Sequence, residues 1–177
     1  IPTLKHRLAH PSHLIDISAL AELRGIAAKG GIVSIGAAMK HHEVAGSAVV
    51  KKAIPALAYA ASLIGDPQVR NLGTIGGSVA NHDPAADYPA AVLGLGAMIV
   101  TNRRKIAADD YFQGLFTTTL EDGEIITRIE FPVPKRAAYA KFPHPASGYA
   151  MAGGFGAQMA DRSEEHTSEL QSHVRIS

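Results

Sequence analysis

No cysteine occurs in the 177 residues, so this chain by itself holds no disulfide, no Cys-ligated zinc and no iron–sulfur cluster. Long apolar runs are missing too: none reaches the roughly 18 residues a membrane-spanning helix requires. Charge is sparse and balanced, with 19% charged residues and a net +1. There is no basic stripe, which argues against a nucleic-acid partner. No basic segment and apolar stretch opens the chain as a secretory leader would, so cytoplasmic residence is expected. Hydrolase chemistry lacks support as well. Ser18, Ser47 and Ser62 have no glycine-elbow flanks, and no Ser–His–Asp or paired-carboxylate arrangement stands out.

What is present is an ordinary globular composition, 46% apolar, in a length sufficient for one domain or part of a larger one. The chemistry concentrates in one stretch, Asn71-Leu72-Gly73-Thr74-Ile75-Gly76-Gly77-Ser78-Val79-Ala80-Asn81, continuing to Asp87. It holds three glycines in five residues, which permit positive φ and let a ligand approach the main chain. Thr74 and Ser78 add hydroxyls, and successive free amides in a glycine turn form an anion-binding concavity. The stretch is neither G-x-G-x-x-G nor G-x-x-x-x-G-K-[ST], so the Rossmann and P-loop readings fail. A diphosphate held by backbone amides is the expectation. Asp87 followed by Pro89 reads as a helix start, which favours a phosphate nearby.

Around it the elements read in order. His13–Ile17 is expected as a strand, Leu20–Leu23 as a short helical turn, and Ile32–Ala37 as a buried strand behind Gly30-Gly31. His41-His42-Glu43 opens a helical segment, with both histidines on a polar face. Ile54, Leu57, Ala58 and Ala61 mark a helix to about Leu63, with Pro55 in its first turn and Gly65-Asp66-Pro67 ending it. A helix over Ala90–Leu95 and strands over Ala97–Thr101 and Lys105–Ala107 follow. Tyr111–Gly114 and Glu121–Glu124 read as turns, and Ile125–Phe131 as a strand stopped by Pro132 and Pro134. Pro132–Ala138 reads as a connector. His6, His10 and His13 share helical spacing, but Pro11 breaks that helix and no acidic partner accompanies them, so no metal site is expected.

The string Val-Arg-Asn-Leu-Gly-Thr-Ile-Gly-Gly-Ser-Val-Ala-Asn-x-Asp-Pro-Ala-Ala-Asp, Val69 to Asp87, resembles the second FAD-binding loop of the flavoprotein subunits of molybdenum hydroxylases. That is the xanthine dehydrogenase family, and in particular its bacterial carbon monoxide dehydrogenase type of medium subunit. The resemblance runs from about Leu4 to about Gln158. It implies an α+β fold, a PCMH/vanillyl-alcohol-oxidase-type FAD-binding domain with its second lobe largely present, then the start of an α/β C-terminal subdomain. The implied boundaries are 1–134 for the first and 135–161 for the second. It implies FAD contacts at Thr74, Ile75, Gly76, Gly77 and Ser78, with Ser78 standing where Asn is common. Asn81 and Asp87 match nucleotide-contacting positions, Ile126 an apolar residue beside the flavin, and Lys141 a lysine near the ring.

The implied role is electron relay, from iron–sulfur clusters through FAD to an external acceptor. The molybdenum cofactor would lie on a large subunit and the [2Fe-2S] clusters on a small one, in a dimerised heterotrimer. A chain that begins at Ile1 lacks the family's first glycine loop, so an N-terminal truncation with weak or absent FAD binding is expected. Arg162–Ser177 resembles the translation of a sequencing adapter and is expected to be non-native. A non-catalytic scaffold and a stand-alone flavin reductase of the enolpyruvyl-glucosamine reductase class are the other readings. The latter requires its own catalytic acid, and no candidate is visible.

Overall fold

The computed structural model describes His6, residues 11–159 and, as backbone, residues 166–170. A five-stranded antiparallel sheet carries the fold. It comprises β1 (Ile26–Lys29), β2 (Ile32–Gly36), β3 (Met98–Thr101), β4 (Lys105–Ala107) and β7 (Ile126–Pro132), in the order β1-β2-β7-β3-β4. Gly30 and Gly31, at φ 59° and 77°, make the hairpin turn between the first two strands. The last of these strands, β7, lies in the middle of the sheet. Its Ile129 pairs with Ile35 on one side and Ile99 on the other, and all three are fully buried.

Between β2 and β3 the chain forms a layer of short helices: α1 (His41–Gly46), α2 (Ala48–Ala53), α3 (Pro55–Ser62), α4 (Pro67–Leu72), α5 (Ile75–Asn81) and α6 (Tyr88–Gly94). Pro55 and Pro67 each sit in a first turn, where the missing N–H costs nothing. α3 is alanine-rich, and Ala56, Leu57, Ala58, Ala60 and Ala61 are buried, so it packs closely against its neighbours. After β4 come a single helical turn α7 (Ala108–Tyr111) and a small hairpin of β5 (Phe112–Gly114) and β6 (Thr117–Thr118). His82 caps α5 in the left-handed region at φ 43° and packs its ring on Phe112 at 4.4 Å, which ties that hairpin to the helix.

A second antiparallel sheet follows: β8 (Arg136–Pro143), β9 (Ala150–Gln158) and β10 (His166–Leu170), ordered β10-β9-β8. Tyr139 and Phe155 enter the same buried cluster as the first sheet and the helices. Among the described residues no helix is long and apolar enough to cross a membrane.

Several expectations are corrected. His13–Ile17 is irregular, with Leu14 72% and Ile15 86% exposed, and among the described residues no strand pairs with it. Tyr111–Gly114 closes α7 and forms β5, where a turn was expected. The connector is shorter than Pro132–Ala138, since β7 runs to Pro132 and β8 begins at Arg136. Val69–Leu72 belongs to α4. The segment Ile1–Leu8, apart from His6, lies outside the described residues. So does most of Arg162–Ser177: only His166–Leu170 is described, its backbone paired with β9. An edge strand offers its free N–H and C=O groups to any neighbouring backbone, so this pairing does not bear on the tail's origin.

Candidate functional site

The glycine stretch is not a loop. Thr74 is an N-cap whose Oγ1 accepts the Gly77 N–H at 3.1 Å, and Ile75 to Asn81 is helical. None of Gly73, Gly76 and Gly77 has positive φ, so their conformational freedom is not what the fold uses. It uses their smallness. A Cβ on Gly76 would lie 2.5 Å from Ala37 Cβ and 2.8 Å from Ala37 O, and one on Gly73 would lie 2.5 Å from the His41 ring. The row of free amides is also corrected. Ile75 N–H donates to Met39 O at 3.0 Å and Gly76 N–H to Ala37 O at 2.9 Å, which stitches the start of α5 to the end of β2.

α5 separates two cavities. The larger, about 330 Å³, is lined by Thr74, Gly76, Gly77 and Ala80 of the helix, with Ala37 and Ala38 beyond β2 and Ile126 and Leu120 opposite. Glu124 also borders it, fixed by Thr101 Oγ1 at 2.7 Å, Arg104 and the Glu121 N–H. The Arg104 guanidinium holds that carboxyl down to about 2.

The smaller cavity, about 200 Å³, lies behind the helix and is lined by Ser78, Asn81, Asp83, Asp87, His41, Lys141 and Tyr149 among others. Its wall contains charge out of water. Lys141 Nζ is 3.0 Å from Asp87 Oδ1, and the two side chains are 3% and 4% exposed. Tyr139 OH donates to the same carboxylate at 2.5 Å, and Lys141 Nζ also donates to Leu63 O at 2.9 Å. Burial pushes the Asp87 carboxyl above its ordinary range, while the Tyr139 and Lys141 hydrogen bonds pull it back. Burial, with the Asp87 charge adding to it, holds the Tyr139 phenol protonated.

The residues expected from sequence therefore fall into groups. Thr74, Gly76, Gly77 and Ile126 share the larger cavity; Ser78, Asn81, Asp87 and Lys141 share the smaller. Ile75 reaches neither, being fully buried in the core. His41, expected on a polar face, is 4% exposed while His42 stays exposed, because α1 starts with its first residue turned under α4 and α6. Ala37, Ala38, His41, Leu120 and Tyr149 were not singled out as site residues. Only small residues after a buried strand hinted at the first two.

An antiparallel sheet under short helices, with a glycine-faced helix between two ligand-sized cavities, defines the architecture of a cofactor-binding α+β domain. The chain belongs to the family described as the FAD binding domain in molybdopterin dehydrogenase, whose model matches residues 1–134. It is 40% identical over 158 residues to a glyceraldehyde dehydrogenase medium chain of Sulfolobus acidocaldarius, covering 86% of this chain and 56% of the relative. It is 41% identical over 160 residues to the carbon monoxide dehydrogenase medium chain of Hydrogenophaga pseudoflava, with the same coverage of each.

Among solved structures, it superposes with TM-score 0.83 and 41% identity on a Hydrogenophaga pseudoflava carbon monoxide dehydrogenase lacking the Mo-pyranopterin moiety of its molybdenum cofactor, covering 88% of this chain and 56% of the other. Quinoline 2-oxidoreductase from Pseudomonas putida 86 gives TM-score 0.83 at 32% identity with the same coverage. The chain thus spans about half the length of the relatives it matches.

Proposed function

We propose that this chain is the FAD-holding part of a medium subunit in a molybdenum hydroxylase complex. The carrying observation is that the family match over 1–134 coincides with a 330 Å³ cavity walled by Thr74, Gly76 and Gly77. The chemistry FAD supplies is redox exchange, and the chain's part is to hold and orient it.

With the Ile75 and Gly76 amides already committed, a diphosphate in the cavity meets the Thr74 hydroxyl and the Gly77 N–H, which can exchange their mutual bond for one to ligand. The absent Cβ of Gly77, whose place only Thr74 Oγ1 approaches, leaves room for close approach, whereas that of Gly76 makes room for Ala37. Ile126, 4% exposed, supplies an apolar wall. Ser78, Asn81, Asp87 and Lys141 serve from the smaller cavity. Residues 135–161 open the following subdomain.

The partners are a large subunit with the molybdenum cofactor and a small one with [2Fe-2S] clusters, which suits a chain with no cysteine of its own. The complex is cytoplasmic and dimerised, and oxidises carbon monoxide, an aldehyde or a purine on the large subunit. The test is an absorbance scan of the purified chain after incubation with FAD and desalting. A flavin band retained by wild type and lost by Gly77→Val, with the circular dichroism spectrum unchanged, supports the reading. No band from this chain, with one retained by the full-length parent, makes it a non-binding piece of a flavoprotein, as the missing first glycine loop leads one to expect; no band from either overturns the reading.

A further inference from the structure

The smaller cavity carries a feature that the loop motif does not explain. His41 is 4% exposed, and its Nδ1 is buried with no hydrogen-bond partner in the folded chain. Its ring packs at 5.3 Å from the Tyr88 ring and against Gly73, so it has little room to turn away. Leaving such an atom unsatisfied is costly, and a core residue of the same size without polar atoms would avoid the cost. The ring also borders the cavity that Ser78, Asn81, Asp87, Lys141 and Tyr149 line. Apart from His41, the buried polar groups of that wall are already paired: Asp87 takes Tyr139 and Lys141, and Lys141 takes Leu63 O as well. Ser78 and Asn81 also keep side-chain capacity but are open to water, so His41 is the buried group of that wall with unspent hydrogen-bonding capacity. Burial, with the Arg70 charge nearby, lowers its pKa to about 4, so at neutral pH the imidazole offers one donor and one acceptor and no charge.

We propose that His41 is a positioning residue of the cofactor site, a hydrogen-bonding group that orients the polar edge of the FAD portion entering the smaller cavity, whose wall it shares with the Asp87–Lys141 pair. The proposal rests on the FAD reading above. It assigns the imidazole to ligand recognition, since the protein's own packing leaves Nδ1 unused. A neutral ring suits a ligand edge that both donates and accepts, where a charged side chain would select only one.

The experiment compares FAD dissociation constants, by quenching of flavin fluorescence on titration into the deflavinated full chain, for wild type, His41→Leu and His41→Gln. Thermal unfolding of each without FAD is measured alongside. Expected are a loss of about tenfold or more in FAD affinity for His41→Leu and recovery to within about threefold of wild type for His41→Gln, which restores a donor and an acceptor. The flavin-free melting temperature of His41→Leu should be equal to or above that of wild type, because the variant removes an unsatisfied buried atom. FAD affinity of His41→Leu within about twofold of wild type overturns the proposal. So does a lost affinity accompanied by an equally large loss of flavin-free stability, which would make the role structural. A wild-type chain that binds no FAD overturns the FAD reading itself, and this inference with it.

Discussion

The two sides of α5 show opposite ways of building a wall. On the larger cavity's side, surface is made by leaving atoms out: Gly76, Gly77, Ala37, Ala38 and Ala80 keep side chains small, and the amides behind them are engaged by Met39, Ala37 and Thr74. On the smaller cavity's side the wall is made of buried polar groups, Asp87, Lys141 and His41, bound to one another or left short of a partner. The first wall costs little to fold and is sensitive to added bulk. The second is costly to desolvate and sensitive to any loss of a partner. One seven-residue helix serves both because Gly76 and Ala80 lie on one face and Ser78 and Asn81 on another.

The sharpest break in this comparison is Asp87→Ala. It strands the Lys141 ammonium in the interior and unpairs Tyr139, and should cost about 3–5 kcal/mol in urea unfolding. A loss under about 1 kcal/mol would show that water reaches the pair and that the two walls are alike.

The next effect is on pH dependence. His41 binds a proton less readily folded, at about 4, than unfolded, at about 6.5. Between those values the unfolded chain takes up a proton the folded chain refuses, so stability falls as pH drops through that window, by about 3 kcal/mol. Asp87, whose carboxyl is raised, works in the opposite sense as pH falls. The difference between wild type and His41→Leu isolates the histidine: the variant, at or above wild type in stability at pH 7, should pull further ahead toward pH 4 as wild type alone loses stability, and a difference constant with pH would refute a neutral buried ring.

On the glycine side, Gly76→Ala pushes a methyl against Ala37 and should destabilise by about 1–3 kcal/mol. Gly77→Ala meets only Thr74 Oγ1 at 3.0 Å, and its stability should stay within about 1 kcal/mol of wild type. Equal effects at the two positions would mean that the start of α5 is not pinned to β2. The smallest effect is reserved for a pair bordering neither cavity. Arg103 and Glu121, 45% and 62% exposed, should lose no more than about 0.5 kcal/mol on Glu121→Gln in chemical denaturation.

Much of the helical layer was legible because prolines and alanines mark it: Pro55 with the alanine run of α3, and Pro89 after Asp87 in α6, describe local structure in local sequence. The central strands were legible as apolar β-branched runs. The strand expected at His13–Ile17 has the right residues but no pairing neighbour among the described residues, and pairing is a tertiary fact. The glycine stretch was picked out as the candidate site and misread as a loop, since glycine allows a turn and equally permits a helix packed so closely on Ala37 that a Cβ would not fit. His41 was passed over because the side of α1 that faces the core is set by α4 and α6, far along the chain.

By itself, then, the sequence determined the family, through the Val69–Asp87 string, along with the composition and the short helices that local residues encode. The tertiary structure alone decided which N–H groups are spent, which face of α5 each residue takes, and that Asp87 meets Lys141 across 54 positions of chain. Those outcomes depend on burial and on partners brought from a distance, and neither is a property of a residue read with its neighbours.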